Sequence, residues 1–199
     1  MSRKQEILDT AVKLFNEQGT KAVTTNHIAA EMGISTGNLY YYFRNKEEII
    51  REIFAEMDRT GMEAYGAIVS EHPPGSLETL EKAFVMIQKF NWRYRFFKRE
   101  LTALLMADPE LRRSYESAHN SMLGLARIGI VNAVETGIFR PMDETEINLF
   151  AEEVVILILF WLNYLEIGGE EVTEESLQRG NEVLRSAMHS RMVNPPKQV

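Results

Sequence analysis

The sequence contains no cysteine. That excludes disulfide frameworks, thiolate metal sites, iron–sulfur clusters and cysteine nucleophiles, and it suits a reducing compartment. Proline is scarce, six in 199 residues, and glycine stops at twelve, too few for a fibrous or low-complexity chain. The four histidines (His27, His72, His119, His189) are scattered, with no His-x-x-x-His pair to hold a metal. No Walker or dinucleotide glycine-rich loop is present, so no cofactor is expected. Long apolar runs are missing too. The segment Val154–Leu162 is nine residues, bracketed by Glu152, Glu153 and Glu166, where a spanning helix needs about 20. It reads as a buried helix, and no membrane partner is expected. Met1 to Glu6 lead into an amphipathic segment without the apolar core of an export signal, so the expected location is cytoplasmic.

What remains is a globular composition, 45% apolar and 26% charged, long enough for one large domain or a small one joined to a medium one. Charge is unevenly divided. Residues 1–46 hold six of the 22 Lys and Arg and four of the 29 Asp and Glu. A polyanion would meet this basic segment and be repelled by the acidic remainder.

Nearly every segment carries the helical period, and no run alternates as a strand would. Ile7, Leu8, Ala11, Val12 and Phe15 form a stripe that Gly19 ends. Thr24 or Thr25 caps a short helix through Ile28, Ala29 and Met32, closed by Gly33. Ser35 caps another, with Leu39 and Phe43 inward. Asn45-Lys46-Glu47-Glu48 reads as a capping box opening a helix to about Ser70. After the break His72-Pro73-Pro74-Gly75, helices are expected over 76–92, 94–107 and 109–136. Asp143 opens an apolar helix to Ile167, and Thr173 starts a last one before Pro195-Pro196. The expected fold is all-α with about nine helices. The bounds are a three-helix domain at 1–46, a connecting helix and linker at 47–75, a larger helical domain at 76–192, and a tail at 193–199.

Helix, glycine-containing turn and short helix form a helix-turn-helix arrangement. The second short helix bears Ser35, Thr36, Gly37, Asn38, Tyr40, Tyr41 and Tyr42 on one side and Leu39 and Phe43 on the other. Donors over an apolar back suit a helix laid in a major groove. Lys46 adds its charge to the positive end of the next helix, an anion site. Residues 7–53 resemble the DNA-binding domain of the tetracycline-repressor family. The match runs Thr24-Thr25-x-x-Ile28-Ala29-x-x-x-Gly33-Ile34-Ser35-x-Gly37-x-Leu39-Tyr40-x-x-Phe43-x-x-Lys46-x-x-Ile49-Ile50, with Tyr42 where histidine is commoner. The resemblance implies that Thr25, Tyr40, Tyr42 and Lys46 hold phosphates, while Thr36, Gly37, Asn38 and Tyr41 face bases.

Two other classes are weighed against this. Gly33-Ile34-Ser35-Thr36-Gly37 matches the G-x-S-x-G elbow of hydrolases, which needs a strand before it; Asn26–Met32 reads as helix instead. The other is a helical binding protein that never touches DNA, which would show no salt-dependent DNA affinity.

The C-terminal part must then supply pairing and sensing. Helices 144–167 and 174–191 are the expected dimer seam, through Val155, Ile158, Leu159, Leu162, Leu184 and Met188, because the first is apolar over too wide an arc for one neighbour. Met86, Phe90, Trp92, Phe96, Phe97, Leu105, Met122 and Trp161 are the expected lining for an apolar or flat effector. The helix from Lys46 to about Ser70 is expected to be the sole link between that pocket and the DNA-reading helices. The sequence thus predicts no catalytic or metal residue. It predicts a ligand-responsive homodimeric repressor whose partners are a pseudo-palindromic double-stranded operator and a small-molecule effector.

Overall fold

The computed structural model describes residues 2–193, and among them nine helices follow the expected breaks. They are α1 (Arg3–Gln18), α2 (Thr25–Glu31), α3 (Thr36–Tyr42), α4 (Lys46–Glu71), α5 (Leu77–Arg93), α6 (Arg95–Ala107), α7 (Pro109–Glu135), α8 (Glu144–Ile167) and α9 (Glu174–His189). The fold is all-α, as expected; the sole β feature among the described residues is an isolated bridge between Phe139 and Met192. No helix among them is long and apolar enough to cross a membrane. Of the expected tail at 193–199, residues 194–199 and with them Pro195-Pro196 lie outside the described residues.

Local chemistry sets the boundaries. Thr24, Ser35, Asp143 and Thr173 each accept the backbone N–H three residues on, filling the first-turn donors that a helix leaves unpaired. Asn45 does the same for Glu48 at 2.8 Å, but the Glu48 carboxylate takes the N–H of Arg44 at 2.6 Å, one residue earlier than a reciprocal box requires. Gly33 ends α2 at φ +65°, a conformation side chains resist.

The chain divides into two compact units that are not consecutive in sequence. The first takes residues up to 60 together with 93–116, and so holds α1–α3, the first half of α4, α6 and the start of α7. Its core joins Ile7, Ala11, Phe15, Ile28, Leu39 and Ile49 to Phe96 and Phe97, all nearly inaccessible. Phe15 meets Phe96 at 5.1 Å, and Phe54 stacks on Phe97 at 5.4 Å between ring centres. Arg51 donates to Asp108 at 2.8 Å while that carboxylate caps α7 through the N–H groups of Glu110 and Leu111.

The second unit takes 61–92 and the chain from 117 onward. Its core packs Phe84, Phe139, Phe150, Val154, Ile158, Trp161, Leu162, Leu184 and Met188. Gly180 of α9 allows a close approach there: a Cβ would sit 2.6 Å from Phe84 and 2.7 Å from the Trp161 indole nitrogen. Two buried amides, Gln88 and Asn91, donate to the carbonyl of Ile158 at 3.0 and 3.2 Å. The two units cut across the linear bounds expected at 46, 75 and 76, because α6 packs with α1. Both α4 and α7 run unbroken from one unit into the other, so α4 is not the sole link.

Candidate nucleic-acid interface

α3 is anchored from behind and open in front. Leu39 is fully buried and Phe43 nearly so, which fixes the rotation of a helix only seven residues long. That rotation leaves Ser35, Thr36, Gly37, Asn38, Tyr40 and Tyr41 exposed. Tyr41 is 83% accessible, beyond what packing accounts for in a large aromatic. Its ring meets Tyr42 edge-on at 5.1 Å, which gives the pair a defined direction. Ser35 Oγ accepts the N–H of Asn38, so its hydroxyl serves the helix end. The backbone defeats the hydrolase reading: Ser35 follows helix α2, and no strand leads into it. Thr25 on α2 lies with its hydroxyl 3.2 Å from that of Tyr40 on α3, uniting two of the residues expected to hold phosphates.

Lys46 is placed differently from the expected open anion site. Its ammonium donates to the carbonyls of Thr20 and Val23, clamping the α1–α2 turn to the start of α4. Thr20 is held in turn by Glu100 of α6, whose carboxylate accepts both the Thr20 N–H, at 2.9 Å, and its hydroxyl. The N-terminus of α4 is already served by Asn45, and Glu47 and Glu48 occupy its first turn. Two cations absent from the expected set are open instead. Arg44, directly after α3, exposes 89% of its side chain, and Lys21 is exposed on the α1–α2 turn. The signal was present in the sequence, since both are basic residues flanking the helix-turn-helix elements.

Comparison with known proteins decides what carries this face. Residues 7–53 match the model of bacterial regulatory proteins of the tetR family, and 47–192 match that of a bacterial transcriptional repressor of the same family. The chain belongs to the tetR family. A crystal structure of a TetR-family transcriptional regulator from Marinobacter aquaeolei VT8 is 31% identical, with a TM-score of 0.85 over 97% of this chain and 92% of that one. The transcriptional regulator YhgD of Bacillus subtilis is 27% identical over 81% of this chain and 85% of its own length. The transcriptional repressor KstR2 of Mycobacterium tuberculosis is 27% identical over 80% and 81%. The chain is therefore a helix-turn-helix transcriptional regulator and not an enzyme.

In this tetR-family fold, the residues expected to line an effector pocket are divided between the two units. Phe96, Phe97 and Leu105 belong to the first, the two phenylalanines within its core. Met86, Phe90, Trp92, Met122 and Trp161 belong to the second. There Trp161 is buried and donates to the carbonyl of Ser176 at 3.1 Å, and Met122 packs against the core. Met86 and Phe90 of the set line an open groove of about 640 Å³.

The six residues expected at the dimer seam are all buried within the single chain, each no more than 8% accessible. Ile158, Leu162, Leu184 and Met188 among them fill the second unit's own core. The opposite face of α8 carries the exposed apolar residues: Leu149, Ile156, Phe160, Tyr164 and Ile167, between 53% and 87% accessible. Their spacing of seven, four, four and three keeps them on one stripe. A helix apolar on both faces needs a cover on each, and the described residues supply one.

Proposed function

We propose that this regulator is a homodimeric repressor that grips a pseudo-palindromic operator with α3 of each copy. The observation that carries the reading is the outward row of α3: Thr36, Asn38 and Tyr41 held in the open by the buried pair Leu39 and Phe43. Side-chain amide and hydroxyl groups on a rigid helix read base edges, and Gly37 lets the backbone come close. Thr25, Tyr40 and Tyr42 flank that row as phosphate ligands, joined by Arg44. Lys46 reaches phosphate only with the donor capacity left beyond its two carbonyls.

The apolar stripe of α8 supports the dimer. Laid against its own copy about a two-fold axis, it buries the same residues twice. The effector is a small molecule with a substantial apolar part, bound in the second unit by Met86 and Phe90. Its signal reaches α3 through α4 and α7, which are continuous across both units. It acts only by its difference in affinity for the two arrangements, typically about 1–3 kcal/mol. KstR2's description as a repressor supports the sign of the regulation.

The test is duplex affinity against salt. With about six to ten phosphates contacted per dimer, affinity falls by about 10³–10⁵ between 50 and 200 mM salt. An affinity indifferent to salt overturns the reading. Tryptophan emission, followed beside operator release in one titration, then tests the effector: a compound that binds must also release.

A further inference from the structure

The groove in the second unit has an apolar floor and two polar groups without partners. Ala64 and Ile68 of α4 and Val85, Met86 and Phe90 of α5 form the floor. Three charged side chains stand on the walls, and two are matched. Lys82 lies 3.2 Å from Glu78 and also meets His72, while Glu81 accepts from Arg185 at 2.6 Å. Lys89 meets no carboxylate and no hydrogen-bond acceptor among the described residues. Asn181 of α9 reaches the same groove, and its amide oxygen is buried without a donor.

Both groups are costly or idle as they stand. A buried acceptor left unpaired loses its water and gains nothing in return. A lone ammonium beside an apolar surface attracts an anion that brings apolar area with it. We infer that the groove binds an amphipathic anion: an apolar chain over Met86 and Phe90, a carboxylate or phosphate at Lys89, and a hydroxyl or N–H donated to Asn181. The volume of about 640 Å³ is in the ordinary range for a small-molecule site and ample for a medium-length chain. The inference deepens the effector reading above and rests on it for its consequence at DNA.

The experiment is titration calorimetry on the full chain with four probes: 3-hydroxydecanoate, decanoate, 1,3-decanediol and decyltrimethylammonium. The expected order puts 3-hydroxydecanoate tightest and the cation weakest. Lys89→Gln weakens both carboxylates about tenfold and leaves the diol unchanged. Asn181→Leu removes the preference for 3-hydroxydecanoate over decanoate and leaves the melting temperature equal or higher, since it deletes an unpaired buried acceptor. The inference is overturned if no probe binds, if the cation binds as well as the anions, or if Lys89→Gln leaves anion affinity intact. A loss of stability in Asn181→Leu makes that amide a structural group and removes the donor from the ligand's description. Lys89-dependent binding that leaves operator affinity unchanged sustains the groove and sinks the effector reading. Release by a compound indifferent to both substitutions does the reverse.

Discussion

Phe160→Glu is the sharpest perturbation of the proposed dimer. Phe160 sits mid-stripe on α8 and is 53% accessible, so the chain's own core covers only its other half. A phenylalanine buries about 150–250 Å² when fully covered, which leaves about 100 Å² for a partner. At about 25 cal/mol per Å² that area contributes about 2.5 kcal/mol per copy. A two-fold axis counts it twice, for about 5 kcal/mol, or between three and four orders of magnitude in Kd. The introduced carboxylate adds a desolvation cost in the same direction. Sedimentation equilibrium at micromolar protein then finds dimer for the wild type and monomer for Phe160→Glu, with helical content and melting profile retained within the monomer. Ile158→Asp is the instructive contrast. Two residues away but 8% accessible, it places a charge in the chain's own core and unfolds the second unit rather than parting the copies. A Phe160→Glu protein that stays dimeric refutes the stripe as the seam.

Lys46→Met deprives the carbonyls of Thr20 and Val23 of their donor and lowers stability by about 1–2 kcal/mol; urea melts that match the wild type contradict the clamp. If the same ammonium also meets a phosphate, as the family resemblance implies, its removal cuts the salt slope of DNA binding by about one while sequence preference holds. Lys98 on α6 has its ammonium pushed down to about 8 by burial, from an ordinary 10.5. Between those values the unfolded chain holds a proton that the folded chain has released, so stability rises as pH climbs from about 8 to 10.5. Lys98→Met removes that rise; denaturation midpoints at pH 7.5 and 9.5 that move in parallel for the two proteins contradict it.

Features written in a few adjacent residues were legible in the sequence. The caps at Thr24, Ser35, Asp143 and Thr173, the stop at Gly33, and the outward side of α3 each depend on groups within one helical turn. Which face of α8 lies open was not legible, for a physical reason. Val154–Leu162 is apolar all round, so periodicity cannot say which side faces the chain's own core and which lies open. Only the packing of Phe84 and α9 against Ile158 and Trp161 decides that. Lys46 shows the same limit: its partners, Thr20 and Val23, are 26 and 23 residues away, and Glu100 reaches Thr20 across 80. Phe96 and Phe97, expected as pocket lining, lie instead in the first unit's core, a placement that follows from α6 packing on α1.

The central claim is that α3 reads DNA sequence from two copies of one chain. Selection from random double-stranded oligonucleotides, run in parallel with the wild type and with Asn38→Ala, tests it most directly. The account predicts that the wild type enriches a pseudo-palindrome whose half-sites are centred about one helical turn, 34–36 Å, or a whole multiple of it apart. Asn38→Ala is then expected to relax the preference at one position in each half-site, with the spacing kept. The side-chain amide's hydrogen bonds to a base edge set the size of that effect, about 1–3 kcal/mol of discrimination at each half-site. No enrichment, a site without two-fold symmetry, or an identical site from both proteins contradicts it.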